Sequence, residues 1–559
     1  MRRTKRFASF ALAACMGVSL LVNVPAGTVA AAEPGESVTS PVEGMTEETV
    51  PDATGTDAEA LDEVQEIVYD ESEADEDGFV WDGTTIVKYV GKGGDVKIPE
   101  GCTSIGGYYI NEIAFCGAFE GYSSLTSIEI PSSVTSIGNL AFSRCSGLTS
   151  IEIPSSVTSI GNLAFYFCAG LTSIEIPEGV TSIGDDAFDL CSGLTSIEIP
   201  SSVTNIGESP FLGCIGLTSI VVSPENPKYN SVENCDAIIE TKTNTLIQGC
   251  KNTKIPSSVT SIGNFAFSGY SELTSIEIPS SVTSIGEHAF ANCSGLTSIK
   301  IPEGVTSIVD GVFGGCSGLT SIKIPLSVTS IGNSAFGGCS SLTSIEIPEG
   351  VTCIGNHAFD ACRDLTSIEI PEGVTGIGDY TFSHCSGLTS IEIPSSVTSI
   401  GERAFLFCSG LTNIKILSGV THIGDLAFAY CSGLTSIEIP SSVTSIGERV
   451  FDGCSGLTGI VVSPKNSNYN SEENCNAIIE TATNTLIQGC ENTKIPSGVT
   501  SIGDFAFASC SGLTSIEIPS SVTSIGSRAF ANCSGLTSIM IPASVTSIVD
   551  NRTYDEALG

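Results

Sequence analysis

The chain has 559 residues, 41% hydrophobic and 15% charged, with 22 Lys and Arg against 62 Asp and Glu, a formal net charge of -40. So acidic a chain repels nucleic acid and anionic lipid, which excludes both as partners and leaves cationic partners or divalent ions favoured by charge. The length could hold several globular domains, but a repeat of fixed 23-residue period makes one elongated domain the better reading.

Four basic residues (Arg2, Arg3, Lys5, Arg6) open the chain, followed by an apolar stretch that ends in an A-x-A pattern at Ala30 to Ala32. This is the pattern of a secretory signal peptide over residues 1–32, cleaved near Ala32. The tetrad Leu12-Ala13-Ala14-Cys15 also fits a lipobox, but the apolar run continues past Cys15, which argues against lipidation. No later segment reaches the ~20 apolar residues needed to span a bilayer. The mature chain is therefore expected to be secreted or held at the cell surface, with no membrane span. Residues 33–78 carry 17 Asp and Glu and no Lys or Arg. Such a stretch cannot bury enough apolar surface to offset its ordering entropy, so it is expected to be a disordered acidic leader.

From about residue 122 the unit typified by CSGLTSIEIPSSVTSIGNLAF recurs, with its first Leu at Leu125, Leu148, Leu171, Leu194 and Leu217, then from Leu273 to Leu457, then at Leu513 and Leu536. A unit this short cannot bury a core alone, so the units must stack as a solenoid. In one unit, Leu148, Ile151 and Ile153 are spaced to point inward from a strand that Pro154 ends, leaving Ser150 and Glu152 outward. Val157 and Ile160 point inward from a short return segment, Gly161 permits a corner, and Asn162 is placed to cap a single helical or 3₁₀ turn carrying Ala164, Phe165 and Cys168. About 18 such coils, ~4.8 Å apart, predict a curved stack with a parallel β-sheet on one face and short strands and turns on the other.

The consensus L-x-x-I-x-I-P-x-x-V-x-x-I-G-x-x-A-F-x-x-C resembles the Treponema-type leucine-rich repeat of BspA-like bacterial surface proteins, over roughly residues 80 to 549. That resemblance implies a degenerate capping repeat at 79–124, with Ile98-Pro99 and Ala118-Phe119, ahead of the array at 125–549. It also implies an adhesin-like binding function, with host extracellular-matrix proteins, other cell-surface proteins or glycans as partners. Departures are few: Tyr122 and Tyr270 replace Cys, Leu417 replaces Pro, and Val309 and Val549 replace the corner Gly. After Ile548 the A-F turn is missing, so the tail at 550–559 is expected to be an atypical cap or a truncated end.

Twice the Leu spacing jumps from 23 to 56, at nearly identical insertions over 223–256 and 463–496. Apolar runs at Ala237 to Glu240 and Thr245 to Gln248 around a polar tip predict a β-hairpin, either a structural spacer or a projecting binding loop. Cys235/Cys250 and Cys475/Cys490 lie symmetrically about the two tips, so each pair is expected to face across strands, and export favours their oxidation. Fourteen of the 22 Cys instead share one repeat position, where neighbours run parallel and read as small buried hydrophobes.

On the exposed strand face Glu129, Glu152, Glu175 and Glu198 form one ladder and Glu346, Glu369 and Glu392 another, interrupted by Lys300, Lys323 and Lys415 and by Val221, Val461 and Met540. The face reads either as a hydrated surface that discourages aggregation or as a ligand groove for a basic or Ca²⁺-bridged partner. The dense carboxylate loops of dedicated Ca²⁺ sites are missing, so any Ca²⁺ binding is expected to be weak. His288, His357, His384 and His422 fall in different units and are expected to share neither a metal nor a proton relay. No catalytic triad, phosphate loop or H-E-x-x-H motif appears. The chain is thus expected to be no enzyme, to need no cofactor, and to act as a surface binding protein or, alternatively, as a structural coat or spacer.

Overall fold

The computed structural model describes residues 71–109 and 115–549, all within one compact unit, Gln65–Gly559. The expected signal peptide, most of the expected acidic leader and the tail at 550–559 lie outside the described residues.

Stacking follows the period. Ser159–Ile160 pairs in parallel with Ser136–Ile137 on one side and Ser182–Ile183 on the other, always residue i with residue i+23. Front strands pair the same way, as in Ser196–Ile199 with Ser219–Val222. Inward Leu, Ile, Val, Ala, Phe and Cys of coil after coil are buried in one continuous core, with Phe142, Phe165 and Phe188 fully sealed. Phe119 through Phe211 stack ring on ring with centroids 5.2–5.3 Å apart, and Phe267 through Phe451 repeat the arrangement. The fold is a β-solenoid, as the period predicts.

Two local readings change. The expected helical turn is a run of overlapping i+3 turns, such as Ser143 N to Leu140 O and Cys145 N to Phe142 O, interrupted by left-handed residues at Leu140 and Arg144. Asn162 does not cap its own turn. Its Oδ1 accepts the backbone N–H of Asp185 in the next coil at 3.0 Å, and Asn139 Oδ1 accepts that of Asn162 at 2.8 Å. The same Asx ladder runs from Asp310 through Asn333, Asn356 and Asp379 to Glu402. The corner glycines have a matching reason: a Cβ on Gly161 would lie 2.6 Å from Asn139 N, so close coil contact, rather than the corner itself, requires glycine there.

The ladder cysteines are more than packing. Each S–H reaches a carbonyl of the preceding coil, as in Cys145 Sγ to Phe119 O at 3.1 Å and Cys362 Sγ to Phe336 O at 3.2 Å. Threonines repeat the device outside, Thr158 Oγ1 donating to Thr135 O and Thr181 Oγ1 to Thr158 O.

The opening repeat folds as an antiparallel hairpin, Phe79–Asp82 with Thr85–Tyr89, and Thr85–Tyr89 then pairs in parallel with Ser104–Ile105. Phe79, Tyr89 and Tyr122 pack with Phe119 across the first coil, closing the apolar end.

The insertions do not project. Ile238–Glu240 and Thr245–Gln248 form the expected hairpin, but Thr245–Gln248 also pairs in parallel with Ser261–Ile262, so the hairpin supplies a return strand of the stack. Ala237, Ile238, Ile239, Leu246 and Cys250 are 0–2% exposed. Exposure is confined largely to the tip at residues 241–244 and the 3₁₀ turn Val232–Asn234. Apolar residues on both faces of these strands explain the burial, since neither strand has a face suited to water.

Candidate functional site

The front sheet presents one row of side chains per coil, because the strands alternate inward Ile with outward Ser and Glu or Lys. Glu129, Glu152, Glu175, Glu198, Lys300, Lys323, Glu346, Glu369, Glu392 and Lys415 are all exposed on this face. Their order is set by register. Lys300 lies opposite Lys323, Lys323 opposite Glu346, and Glu392 opposite Lys415. Lys415 Nζ meets Glu392 Oε1 at 2.9 Å, and Lys97 Nζ meets Glu129 Oε1 at 2.7 Å, the latter pair raising the Lys97 ammonium above its ordinary pKa.

At the capped end Asp95, Lys97, Ser127, Glu129 and Glu152 line an open depression of about 510 Å³. Ser127 and Thr126 donate to Asp95 and hold its carboxyl below the usual range.

The row carries apolar residues at two matching places. Val221 is 46% exposed opposite Glu198, and Val461 is 52% exposed opposite Glu438, each directly before an inserted coil. Sequence reading noted both only as breaks in the Glu ladder.

The hairpin cysteines are buried free thiols. In each hairpin a bulge beside Ile239 or Ile479 shifts the register, so Ala477 opposes Gly489 and the symmetry about the tip is lost by one residue. Cys490 Sγ accordingly points to Asn476 O at 3.4 Å and Cys250 Sγ to Asp236 O at 3.4 Å, rather than each facing its partner cysteine squarely. Burial raises all four thiols, Cys235 to about 11.

On the turn side, residues three and twenty-four apart become neighbours. His357 and His384, which the sequence reading kept separate, converge on Asp360. The same i, i+3 position holds Arg449 paired with Asp452, whereas Asp186 and Asp189 stand together without a cation. Burial, reinforced by neighbouring carboxylates, pushes Asp186 up to about 7 and Asp189 up to about 8. The missed signal was the period plus one: a residue one coil and one position on, as His384 is from Asp360, lies beside the first.

The repeat region matches the family model of the BspA type leucine rich repeat region at residues 112–239, 243–366, 329–458 and 485–555. The chain belongs to this family. Among solved structures it is similar to a leucine-rich repeat protein from Bacteroides ovatus, at 25% identity over 87% of this chain and 99% of that one, with a TM-score of 0.39. A leucine rich cell surface protein from Faecalibacterium prausnitzii matches at 27% identity over 61% of this chain and 92% of its own, TM-score 0.37. The leucine rich repeat protein of T. pallidum matches at 26% identity over 41% of this chain and 87% of its own, TM-score 0.26. No curated protein matches the chain. BspA-type arrays are protein-binding repeat scaffolds, and the match indicates no catalytic family. No helix among the described residues is long and apolar enough to cross a membrane.

Proposed function

We propose that this BspA-type protein is exported and acts at the cell surface as an adhesin-like binder, holding host matrix or neighbouring-cell proteins or glycans against its front sheet. The observation that carries this reading is the pair of exposed valines, Val221 and Val461, at equivalent front positions beside the two inserted coils. Exposed β-branched side chains on a mostly polar, charged row serve no core, and a polar rim around a small apolar centre is what a protein partner uses. Two equivalent centres engaging one multivalent surface would gain avidity without any new contact. The Lys300/Lys323 break in the Glu row would steer the orientation of a charged partner. Any Ca²⁺ contribution would be weak, since the Glu row offers single carboxylates rather than a coordination loop.

The experiment is a binding assay of the mature protein on immobilised matrix proteins and on whole bacterial cells. Saturable binding at physiological salt, weakened by the double substitution Val221→Asp and Val461→Asp, is expected. Failure to saturate on any surface would leave a structural coat as the function. The hairpin cysteine pairs belong to the same proposal: oxidised in the exported protein, each would pin its inserted coil. Peptide mass mapping without reduction that finds Cys235, Cys250, Cys475 and Cys490 all free would remove that part.

A further inference from the structure

The two sheets of the solenoid do not start level at the capped end. On the return side the sheet runs Phe79–Asp82, Thr85–Tyr89, Ser104–Ile105, Ser136–Ile137, so two strands precede that of the first coil. On the front side the first strand is Gly94–Lys97, which pairs in parallel with Leu125–Glu129. Among the described residues no strand pairs with its other edge. The front sheet therefore ends two strand positions short of the return sheet, a step of about 10 Å. Gly94 N donates to Ser124 O and Ile98 N to Glu129 O, so the N–H groups of alternate residues point back into the stack. Those of Asp95 and Lys97 face the open step.

An unpaired row of N–H and C=O groups is a template for another strand, and natural edges are commonly blunted by Lys or Pro. Here Lys97 is neutralised, since its Nζ meets Glu129 Oε1 at 2.7 Å, and Pro99 falls after the strand. Four residues suffice for pairing in this fold, because Ser196–Ile199 and Ser219–Val222 pair over the same length. The charge around the edge is negative. Asp95 accepts from Ser127 Oγ at 2.6 Å and from Thr126 Oγ1 at 3.1 Å, which fixes its carboxylate beside the edge. Glu152 lines the same depression of about 510 Å³, whereas Lys97 and Glu129 cancel each other. We propose that the outer edge of Gly94–Lys97 takes an extended basic segment of a partner protein as an added strand. This rests on the protein-binding reading above and adds a second point of contact, at the end of the front sheet. The segment acts as one more coil. Its outward Lys or Arg side chains meet Asp95, and its inward side chains are apolar, as Val96 and Ile98 are. The chain's own residues 33–70 carry the wrong sign for this place, since 33–78 hold 17 Asp and Glu and no Lys or Arg.

The probe is an alternating Lys-Val peptide carrying a fluorophore, titrated against the full mature chain in solution. The expected result is saturable binding of one peptide per chain, with hydrogen exchange slowed over residues 93–98. An alternating Glu-Val peptide, and the Lys-Val peptide interrupted by Pro, should each bind at least about tenfold more weakly. Asp95→Lys reverses the charge at the edge, and Lys97→Pro removes an outward N–H while sparing the bonds to Leu125–Glu129. Each should weaken binding at least about fivefold with circular dichroism unchanged. Binding that fails to saturate, or that is unchanged in Asp95→Lys, overturns the proposal. Equal binding of the Pro-interrupted peptide overturns it as well, because charge attraction alone would then account for the capture. So does exchange over 93–98 that is already slow in the free chain, since a second copy or the chain's own residues would then fill the edge. The titration contains no matrix surface, so loss of peptide binding and loss of attachment through Val221 and Val461 are separate results.

Discussion

Tyr270 and Cys510 occupy equivalent positions, 240 residues apart, in the coils that follow the two insertions, and only Tyr270 is sealed from solvent, at 1% exposure against partial exposure for Cys510. At the first joint Gly213 N reaches Ser268 O across the inserted coil at 3.4 Å, and the core runs through unbroken. At the second joint the core divides, and residues from Cys475 to Ala529 form a separate cluster. A phenol ring fills the space that a thiol leaves open. Tyr270→Cys should therefore cost about 2–4 kcal/mol, as large-to-small core changes do. Hydrogen exchange should show the loss concentrated in the coils on either side of residue 270. Tyr270→Phe should cost less than Tyr270→Cys, because it keeps the ring and gives up only the buried hydroxyl beside Gln248.

Asp186 and Asp189 set a pH dependence of stability. Their folded pKa values, about 7 and about 8, lie above the ordinary carboxylate value of 3.8. The folded chain therefore holds protons that the unfolded chain has released. The stabilisation from these protons is complete below about pH 4 and is lost as the pH rises through 7 and 8. Asp189→Asn should raise the melting temperature at pH 8.5 and change little at pH 4, with a gain on the order of 2–3 kcal/mol at the higher pH. An equal shift at both pH values would contradict this account.

Thiol reactivity should be sharply uneven. Cys353 is exposed on its return strand, while ladder cysteines such as Cys316, pushed up to about 12 by burial, are sealed. Among the described thiols a native-state reagent should label Cys353 first, and Cys353→Ser should remove that fast phase. The ladder should react only on unfolding. Cys339→Ala should cost roughly 1–2 kcal/mol, because it removes both a buried group and an S–H donor to Phe313 O.

The Asx ladder carries a comparable load at the surface. Asn333→Ala leaves the Asn356 N–H without its acceptor, and should destabilise by about 1 kcal/mol in chemical denaturation. Asn333→Asp should keep the acceptor for Asn356 but not restore full stability, because Asn333 Nδ2 donates to Asp310 Oδ2 at 3.1 Å and a carboxylate there would face a like charge.

The sequence made most of this fold legible because one period dictates both side-chain direction and strand register. Leu148, Ile151, Val157, Ile160, Phe165 and Cys168 are all buried where their spacing places them. The errors came where chemistry crosses between coils. Asn162 looked like the cap of its own turn because a ladder bond to residue i+23 leaves no local signature. The insertions could be read as spacer or as projecting loop, because an apolar hairpin reads alike whether it joins the stack or leaves it, and the stack takes it. His357 and His384 looked unrelated because their link runs diagonally through Asp360. Val221 and Val461 were legible only as interruptions of the Glu row, because a break in a ladder does not say how far its side chain stands open to water.

Each kind of bond between coils joins groups at its own fixed sequence interval, 23 for Thr158 to Thr135 and Asp185 to Asn162 and 26 for Cys191 to Phe165. Excising or duplicating one whole 23-residue unit in a uniform stretch therefore reconnects chemically identical partners. Recombination between such units changes reach in steps of ~4.8 Å without passing through a misfolded length. The two joints are exempt, since there the inserted strands pair at a different interval, Thr245 with Ser261 and Thr485 with Ser501. Over evolutionary time this architecture should diverge in coil number between its joints far faster than in the joints themselves.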